Sequence, residues 1–587
     1  MKAYPLYPER HSEILDGFWD FCWMGDNIAI DNIQPAALVY NELMAVPGVF
    51  DTGIDRFGMR GVGVYRRKIS SIATSDATLR LKIGGMGLYG RIWWNGREIG
   101  KYNLPYSGVD YDFVTGNETE HELVIAVDNR FDKARTPLFL PEFDFYGYGG
   151  IYRSIELQQL PECYLERVQV TTLDITSGRV RLRLRLGGKV PDELNFTVAF
   201  DSNKAESFQK KITNGEIESE QTVPDFKIWS PASPGLHTVT VTIAGDSIVE
   251  RFGIRTVEAR DQKILLNGES VRLLGVCRHE SHPEFGPVQP PHLMIDDLRL
   301  LKDLGCNFVR CVHYPQDQTF LDLCDQMGML VWQESLGGFA SPAAPGHFED
   351  QTWGHTESEA RDQHFLELQV RQTALMVQHS INHPSVILWG FLNEGCSDTA
   401  GGKALYGTLA GTIRKEDPSL LVTFASNKHE RDICLEYADV IAMNLYPGWI
   451  DGIKDWTTPS SSWIENFINE KAKIAERSEL KEKPLLVTEI GACALYGCHD
   501  RANAQWSEEF QADYFKEACR CILKNSRFAG VALWQMFDTR SFVNAGQVRA
   551  KPRGFNCAGL LDEYRRPKLA YDAVKKIFND FWRGNSR

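Results

Sequence analysis

The sequence predicts a multidomain β and α/β protein: a jelly-roll β-sandwich, then an immunoglobulin-like β-sandwich, then a (β/α)8 TIM barrel. Three observations lead there. The first half of the chain is built of short alternating strands with Gly and Asn-Gly turns. From about residue 257 the rhythm changes to helix, glycine, apolar strand, repeated. Two of the later apolar runs, V-I-L-W-G-F-L-N-E and L-L-V-T-E, each stop on a glutamate, Glu394 and Glu489. At 587 residues, about three or four domains are expected.

Residues 1–157 form the first unit. Val62 to Ile69, Leu79 to Ile83, Arg91 to Trp94 and His121 to Val127 alternate or run β-branched, and Asn95-Gly96 after a tryptophan pair predicts a tight hairpin. This suits a sandwich of jelly-roll size. Residues 158–256 form the second. Val180 to Leu186 alternates leucine or valine with arginine, and Leu236 to Ile243 alternates in the same way. The arginines read as a solvated strand face rather than an anion site. About 100 residues of short strands suit an immunoglobulin-like sandwich. Residues 257–587 form the third. Leu293 to Leu304 is helical in spacing and Gly305 stops it before the strand Asn307 to Arg310; Leu321 to Met327, Gly328 and Leu330 to Trp332 repeat the unit. Helices over Ala374 to His379, Leu405 to Arg414 and Ala512 to Leu523 continue it, as one barrel with inserted loops.

Composition narrows the function. The formal net charge is −14 and no basic stripe is visible, which argues against nucleic acid and anionic membranes as partners. No apolar run approaches a membrane span. The N-terminal stretch lacks an apolar core and carries Glu9 and Arg10, so the expected location is cytoplasmic. The 13 cysteines are dispersed without CxxC or zinc-type spacing, which reads as reduced, mostly buried thiols.

A buried parallel strand carries its chemistry at its C-terminal end. Two carboxylates delivered by two such ends are the minimal equipment for cleaving a glycosidic bond, one as protonated acid and one as charged nucleophile. A glutamate at a strand end can also merely cap a neighbouring helix; two of them converging on one barrel face argue for catalysis. A carboxyl separation of about 5–5.5 Å would specify the retaining, double-displacement route. Glu394 is the better acid and Glu489 the better nucleophile, although spacing alone does not assign the roles. His279, His282 and His313 raise a metal-dependent alternative, but their spacing fits no standard zinc pattern, and no metal or cofactor is expected.

Asn393-Glu394 within V-I-L-W-G-F-L-N-E-G and Glu489 within V-T-E-I-G-A resemble glycoside hydrolase family 2, the β-glucuronidases and β-galactosidases. The likeness covers nearly the whole chain. It includes Leu15 to Trp19, Val46-Pro-Gly48, Phe143 to Arg153, Gly275 to Glu280, Val309 to Pro315 and Trp506 to Gln511. The resemblance implies roles residue by residue. Glu394 would be the acid/base, Glu489 the nucleophile, and Asn393 the partner of the sugar 2-hydroxyl. Arg310 would hold the nucleophile charged, and Tyr446 would sit beside it. His279 and His313 would line the sugar pocket, Trp534 would floor it, and Asp144 would reach the 4-hydroxyl from the first sandwich. Family members are often dimers or tetramers, which implies a homo-oligomer.

One departure bears on the sugar. β-Glucuronidases carry an N-x-K-G motif whose Asn and Lys hold the uronate carboxylate; here the segment reads Asn556-Cys-Ala-Gly559, with Ala558 at the lysine position. A buried carboxylate without a cation is unfavourable, so a neutral sugar, β-galactoside first, is expected, with β-glucuronide or β-galacturonide as the alternative. Ala558 also differs from the sodium-binding Asn of the large β-galactosidases, and Glu334 to Phe339 does not match their magnesium site. Lys551 and Arg553 are possible replacement cations, although a solvated loop is the simpler reading. A non-catalytic carbohydrate-binding protein on a dead hydrolase scaffold is a further alternative, disfavoured by the presence of both carboxylates.

Overall fold

A computed structural model describes residues 3–70, 77–116, 118–138, 145–337, 357–449, 461–541 and 552–585. The N-terminal sandwich packs a four-stranded sheet on a six-stranded one, around Trp19, Phe21, Tyr65, Leu79, Leu81, Ile92, Leu123 and Ile125. The expected hairpin joins Tyr89–Trp94 to Arg97–Tyr102. Asn95 (φ 49°) and Gly96 (φ 76°) both take positive φ, the conformation whose twist matches a tight hairpin.

The second sandwich has a three-stranded and a four-stranded sheet. In its strand Arg179–Gly188 the apolar residues Val180, Leu182 and Leu184 are fully buried. The alternate arginines pair across the sheet with glutamates, Arg179 to Glu220 at 2.9 Å and Arg183 to Glu216 at 2.6 Å. The arginine stripe is therefore a charge-balanced outer face.

Eight parallel strands then close into a barrel: β1 Leu273–Arg278, β2 Phe308–Cys311, β3 Leu330–Glu334, β4 Val386–Asn393, β5 Leu421–Ser426, β6 Ile441–Asn444, β7 Leu485–Glu489 and β8 Phe528–Leu533. Every residue of β4 and β7 is buried, as expected of strands covered on both faces. Helices α1 (Pro291–Leu304) and α2 (Gln318–Met327) stop on Gly305 (φ 91°) and Gly328 (φ 67°), left-handed C-caps that a side chain would disfavour. After β8 a two-stranded ribbon follows, β9 Thr539–Arg540 with β10 Phe555–Asn556.

Buried polar contacts lock the units together. Arg153 of the first sandwich meets Glu280 of the barrel at 2.8 Å. Trp229 of the second donates its indole N–H to the Asp325 carbonyl at 2.9 Å. All 13 cysteines carry free thiols. Among the described residues, no helix is long and apolar enough to cross a membrane.

Candidate active site

Strand alternation sends consecutive side chains to opposite faces, yet Asn393 and Glu394 are consecutive and both join one network. The end of β4 resolves the conflict by leaving regular geometry. Its register with β5 shifts between Gly390 and Asn393, and Leu392 and Glu394 take φ of 50° and 51°. Such backbone is unfavourable for non-glycine residues and clusters where function over-determines it.

The network is continuous from one glutamate to the other. Arg310 at the end of β2 donates to Glu489 Oε1 at 2.7 Å and to Asn393 Oδ1 at 2.9 Å. Asn444 at the end of β6 donates to Asn393 Oδ1 at 3.1 Å and to Glu394 Oε1 at 2.7 Å. Thr488 fixes that amide's orientation by donating to Asn444 Oδ1 at 2.8 Å. Asn427 donates to Glu394 Oε2 at 2.8 Å, and the Tyr446 hydroxyl donates to Glu489 Oε2 at 2.6 Å. With its oxygen engaged twice, Asn393 leaves its fully buried Nδ2 without a protein acceptor among the described residues. A buried amide donor without an acceptor is unfavourable, which makes this atom a candidate ligand contact.

A buried cation lies against Glu489. Arg310 is fully buried, and its carboxylate neighbours Glu334 and Glu489 outweigh burial and push its pKa up. A cation held this way lowers the pKa of the carboxylate it touches. The same guanidinium donates Nε and Nη2 to Glu334 Oε2 at 3.1 and 2.9 Å, and His313 Nδ1 lies 3.0 Å from Glu334 Oε1. Burial pushes the Glu334 carboxyl up to about 7, against the pull of Arg310.

Aromatic groups form the wall. His313 stacks on Trp534 with ring centroids 5.4 Å apart, and His279 meets Trp534 edge-on at 5.6 Å. The first sandwich contributes Phe145, 5.5 Å from His279 and 6.3 Å from His313. Flat faces of this kind suit the C–H surface of a sugar ring.

The structure thus brings together Glu394, Glu489, Asn393, Arg310, Tyr446, His279, His313 and Trp534. Asn556 lies on β10 and is buried, with its Oδ1 turned back onto the Ala558 N–H at 3.2 Å. Asp144 and Lys551 lie outside the described residues. Arg553 is paired with Glu563 at 3.0 Å. Sequence reasoning passed over Glu334, Asn444, Asn427 and Phe145. Glu334 ended a visible signal, the run L-V-W-Q-E of β3, which stops on a glutamate as β4 and β7 do.

Among the described residues, the group of His, Cys, Asp and Glu close enough to hold a metal ion is Asp322, Asp325 and His383. It lies where the second sandwich meets the barrel, and Arg251 already pairs with Asp322 there. His279, His282 and His313 form no such group, and His282 stacks on Phe285 at 4.6 Å.

Residues 257–582 match the model of the TIM barrel domain of glycosyl hydrolases family 2, and residues 163–255 match a second model of that family. The chain is 25% identical to a β-glucuronidase of Streptococcus agalactiae, covering 98% of this chain and 97% of that one. It is 27% identical to the β-glucuronidase of Rattus norvegicus, covering 98% and 91%. A solved β-galacturonidase from Eisenbergiella tayi bound to galacturonate superposes with a TM-score of 0.85 at 30% identity, covering 99% and 98%.

Proposed function

The chain belongs to glycosyl hydrolase family 2 and is a glycoside hydrolase, and from that premise we propose that it is a retaining exo-β-hexuronidase, acting on β-galacturonides or β-glucuronides. The observation that carries the sugar is the near full-length likeness to enzymes whose names give a hexuronide substrate, among them the Eisenbergiella tayi β-galacturonidase at 30% identity. These relatives favour the alternative over the neutral-sugar expectation, which rested on Ala558. A missing lysine removes one way to hold a carboxylate and leaves others open.

In the proposed reaction Glu489, ionised beside Arg310, attacks the anomeric carbon. The glycosidic bond breaks as Glu394 gives its proton to the departing oxygen, leaving a glycosyl ester on Glu489. Glu394, now charged, is held by the amides of Asn427 and Asn444. It takes a proton from water, which attacks the same carbon, releases Glu489 and yields a sugar of unchanged configuration. Asn393 Nδ2 supports the 2-hydroxyl, a contact that tightens as charge develops. Tyr446 orients the second oxygen of Glu489.

The test is a panel of aryl β-galacturonide, glucuronide, galactoside and glucoside. A uronide should dominate kcat/KM; a dominant galactoside would return the neutral reading that Ala558 favours. The free thiols support a reducing compartment, here the cytoplasm. A homo-oligomer, dimer or tetramer, is proposed by family analogy, and sedimentation velocity reads it directly.

A further inference from the structure

A uronate bound where Ala558 leaves no lysine needs another cation. Among the described residues, the cations around the Asn556–Gly559 segment are mostly paired with carboxylates. Lys568 lies 2.7 Å from Asp538, Arg553 is 3.0 Å from Glu563, Arg565 is 3.1 Å from Asp297, and Arg566 pairs with Asp562. Arg540 differs. It is 5% exposed, and among the described residues it forms no ion pair and one protein hydrogen bond, from Nη1 to the backbone carbonyl of Asp51 at 3.0 Å. The Asp51 carboxylate feels both Arg540 and Arg60, but its Oδ2 accepts from Asn129 Nδ2 and the Gly149 N–H, and burial pushes its pKa up.

The position of Arg540 relates it to the pocket. Arg540 and Thr539 form β9, in register with Phe555 and Asn556. Its guanidinium carbon sits 3.9 Å from the Tyr146 ring centroid, 4.1 Å from Phe57 and 5.6 Å from Tyr148. Tyr146 follows Phe145, which packs on His279 and His313, and the Tyr148 hydroxyl is 3.3 Å from Ser281 Oγ beside the same strand end. The group is therefore fixed between the Asn556 strand and the pocket wall that the first sandwich supplies. A guanidinium held among aromatic rings is pre-organised, and its remaining N–H groups form a fork that matches a carboxylate.

We propose that Arg540 is the specificity-determining cation of this enzyme, taking the C6 carboxylate of the sugar in place of the lysine that Ala558 replaces. The assignment rests on the hexuronidase reading above. It makes the uronate site a joint product of β9 and the first sandwich rather than of the Asn556–Gly559 loop alone.

The test uses the full chain as Arg540→Gln, Arg540→Lys and Arg540→Ala, with 4-nitrophenyl β-galacturonide, β-glucuronide and β-galactoside as probes. Arg540→Gln should lower kcat/KM on the preferred uronide about 10- to 100-fold, the worth of one charge-assisted contact, and change the galactoside less than about 3-fold. Arg540→Lys should fall between. Added guanidinium ion should restore Arg540→Ala on uronides and leave its galactoside rate unchanged. Equal losses on charged and neutral sugars would make Arg540 an interdomain clamp and overturn the proposal, as would an unchanged uronide-to-galactoside ratio in Arg540→Gln. If Arg540→Gln does not fold, Arg540→Lys decides the ratio. Wild-type preference for the galactoside would instead sink the hexuronidase reading, whatever Arg540 does.

Discussion

Two arginines end neighbouring barrel strands, both fully buried: Arg278 on β1 and Arg310 on β2. The register sets Cys277 beside Arg310 and Arg278 beside Cys311, so the two guanidinium groups leave the sheet on opposite faces. Arg310 turns inward and is one cation shared by two carboxylates, Glu334 and Glu489, at 2.9 and 2.7 Å. Arg278 turns outward to the helix layer. There it lies 2.8 Å from Asp297 of α1, packs over Phe320 of α2, and shares that aspartate with Arg565. One cluster has surplus negative charge beside the aromatic wall of His313 and Trp534. The other has surplus positive charge closed in by Gln289 and Gln316. Burial and pairing are equal in both, so neither marks a catalytic group; the face of the sheet and the sign of the surplus do.

The comparison breaks most sharply at Glu489. Glu489→Gln should cut kcat by about 10⁴-fold or more while the fold and sugar affinity persist, since it removes the attacking group and keeps its shape. Single-turnover kinetics and inhibitor titration check this, and undiminished turnover would end the nucleophile assignment. Arg278→Met should do the reverse. It disrupts a buried ion pair, so stability should fall by about 3 kcal/mol, with the specific activity of the folded fraction unchanged. A loss of activity without a loss of stability would show that the outward cluster serves the site after all.

Glu334→Gln probes the link inside the inward cluster. It should lower kcat/KM about 10²-fold by loosening Arg310 and His313, a positioning effect. With Arg310 no longer divided between two carboxylates, Glu489 should ionise more readily, and the acid limb of the kcat/KM profile should move to lower pH. An unmoved limb would reduce Glu334 to packing.

The smallest effect is expected at Glu250, on the second sandwich. Burial pushes its carboxyl up to about 7. The folded state therefore holds the proton more tightly than the unfolded chain does, so this contribution is complete below about pH 4.5 and is lost as pH rises through 7. Glu250→Gln should make the fall in Tm between those limits shallower, by about 1–2 °C. Differential scanning fluorimetry across that range reads it, and an identical slope would show that Glu250 ionises without penalty.

Much of this was legible in the residues. Alternation located the sandwich strands, Asn95-Gly96 the hairpin, and Gly305 and Gly328 the helix stops, because each signal is local. Glu394 and Glu489 stood out because an apolar run that ends on a carboxylate is rare in a buried strand. Glu334 carried the same mark but had no visible partner, since its role depends on Arg310 and His313 arriving from β2 and the loop after it. The contrast between Arg278 and Arg310 was illegible in principle: one residue of register decides the face. The turn at Leu392 that brings Asn393 and Glu394 to one side departs from the alternation that sequence reading assumes. The sugar was the least legible part: Ala558 speaks for one loop only, and the strand paired with that loop comes from elsewhere in the chain.

Phe145 belongs to the first sandwich, while both glutamates belong to the barrel. The pocket wall is thus assembled from two separate stretches of chain. A barrel expressed by itself would keep Glu394 and Glu489 and lose one side of its aromatic wall. The shape of that wall therefore depends on how firmly Arg153 and Glu280 hold the sandwich to the barrel.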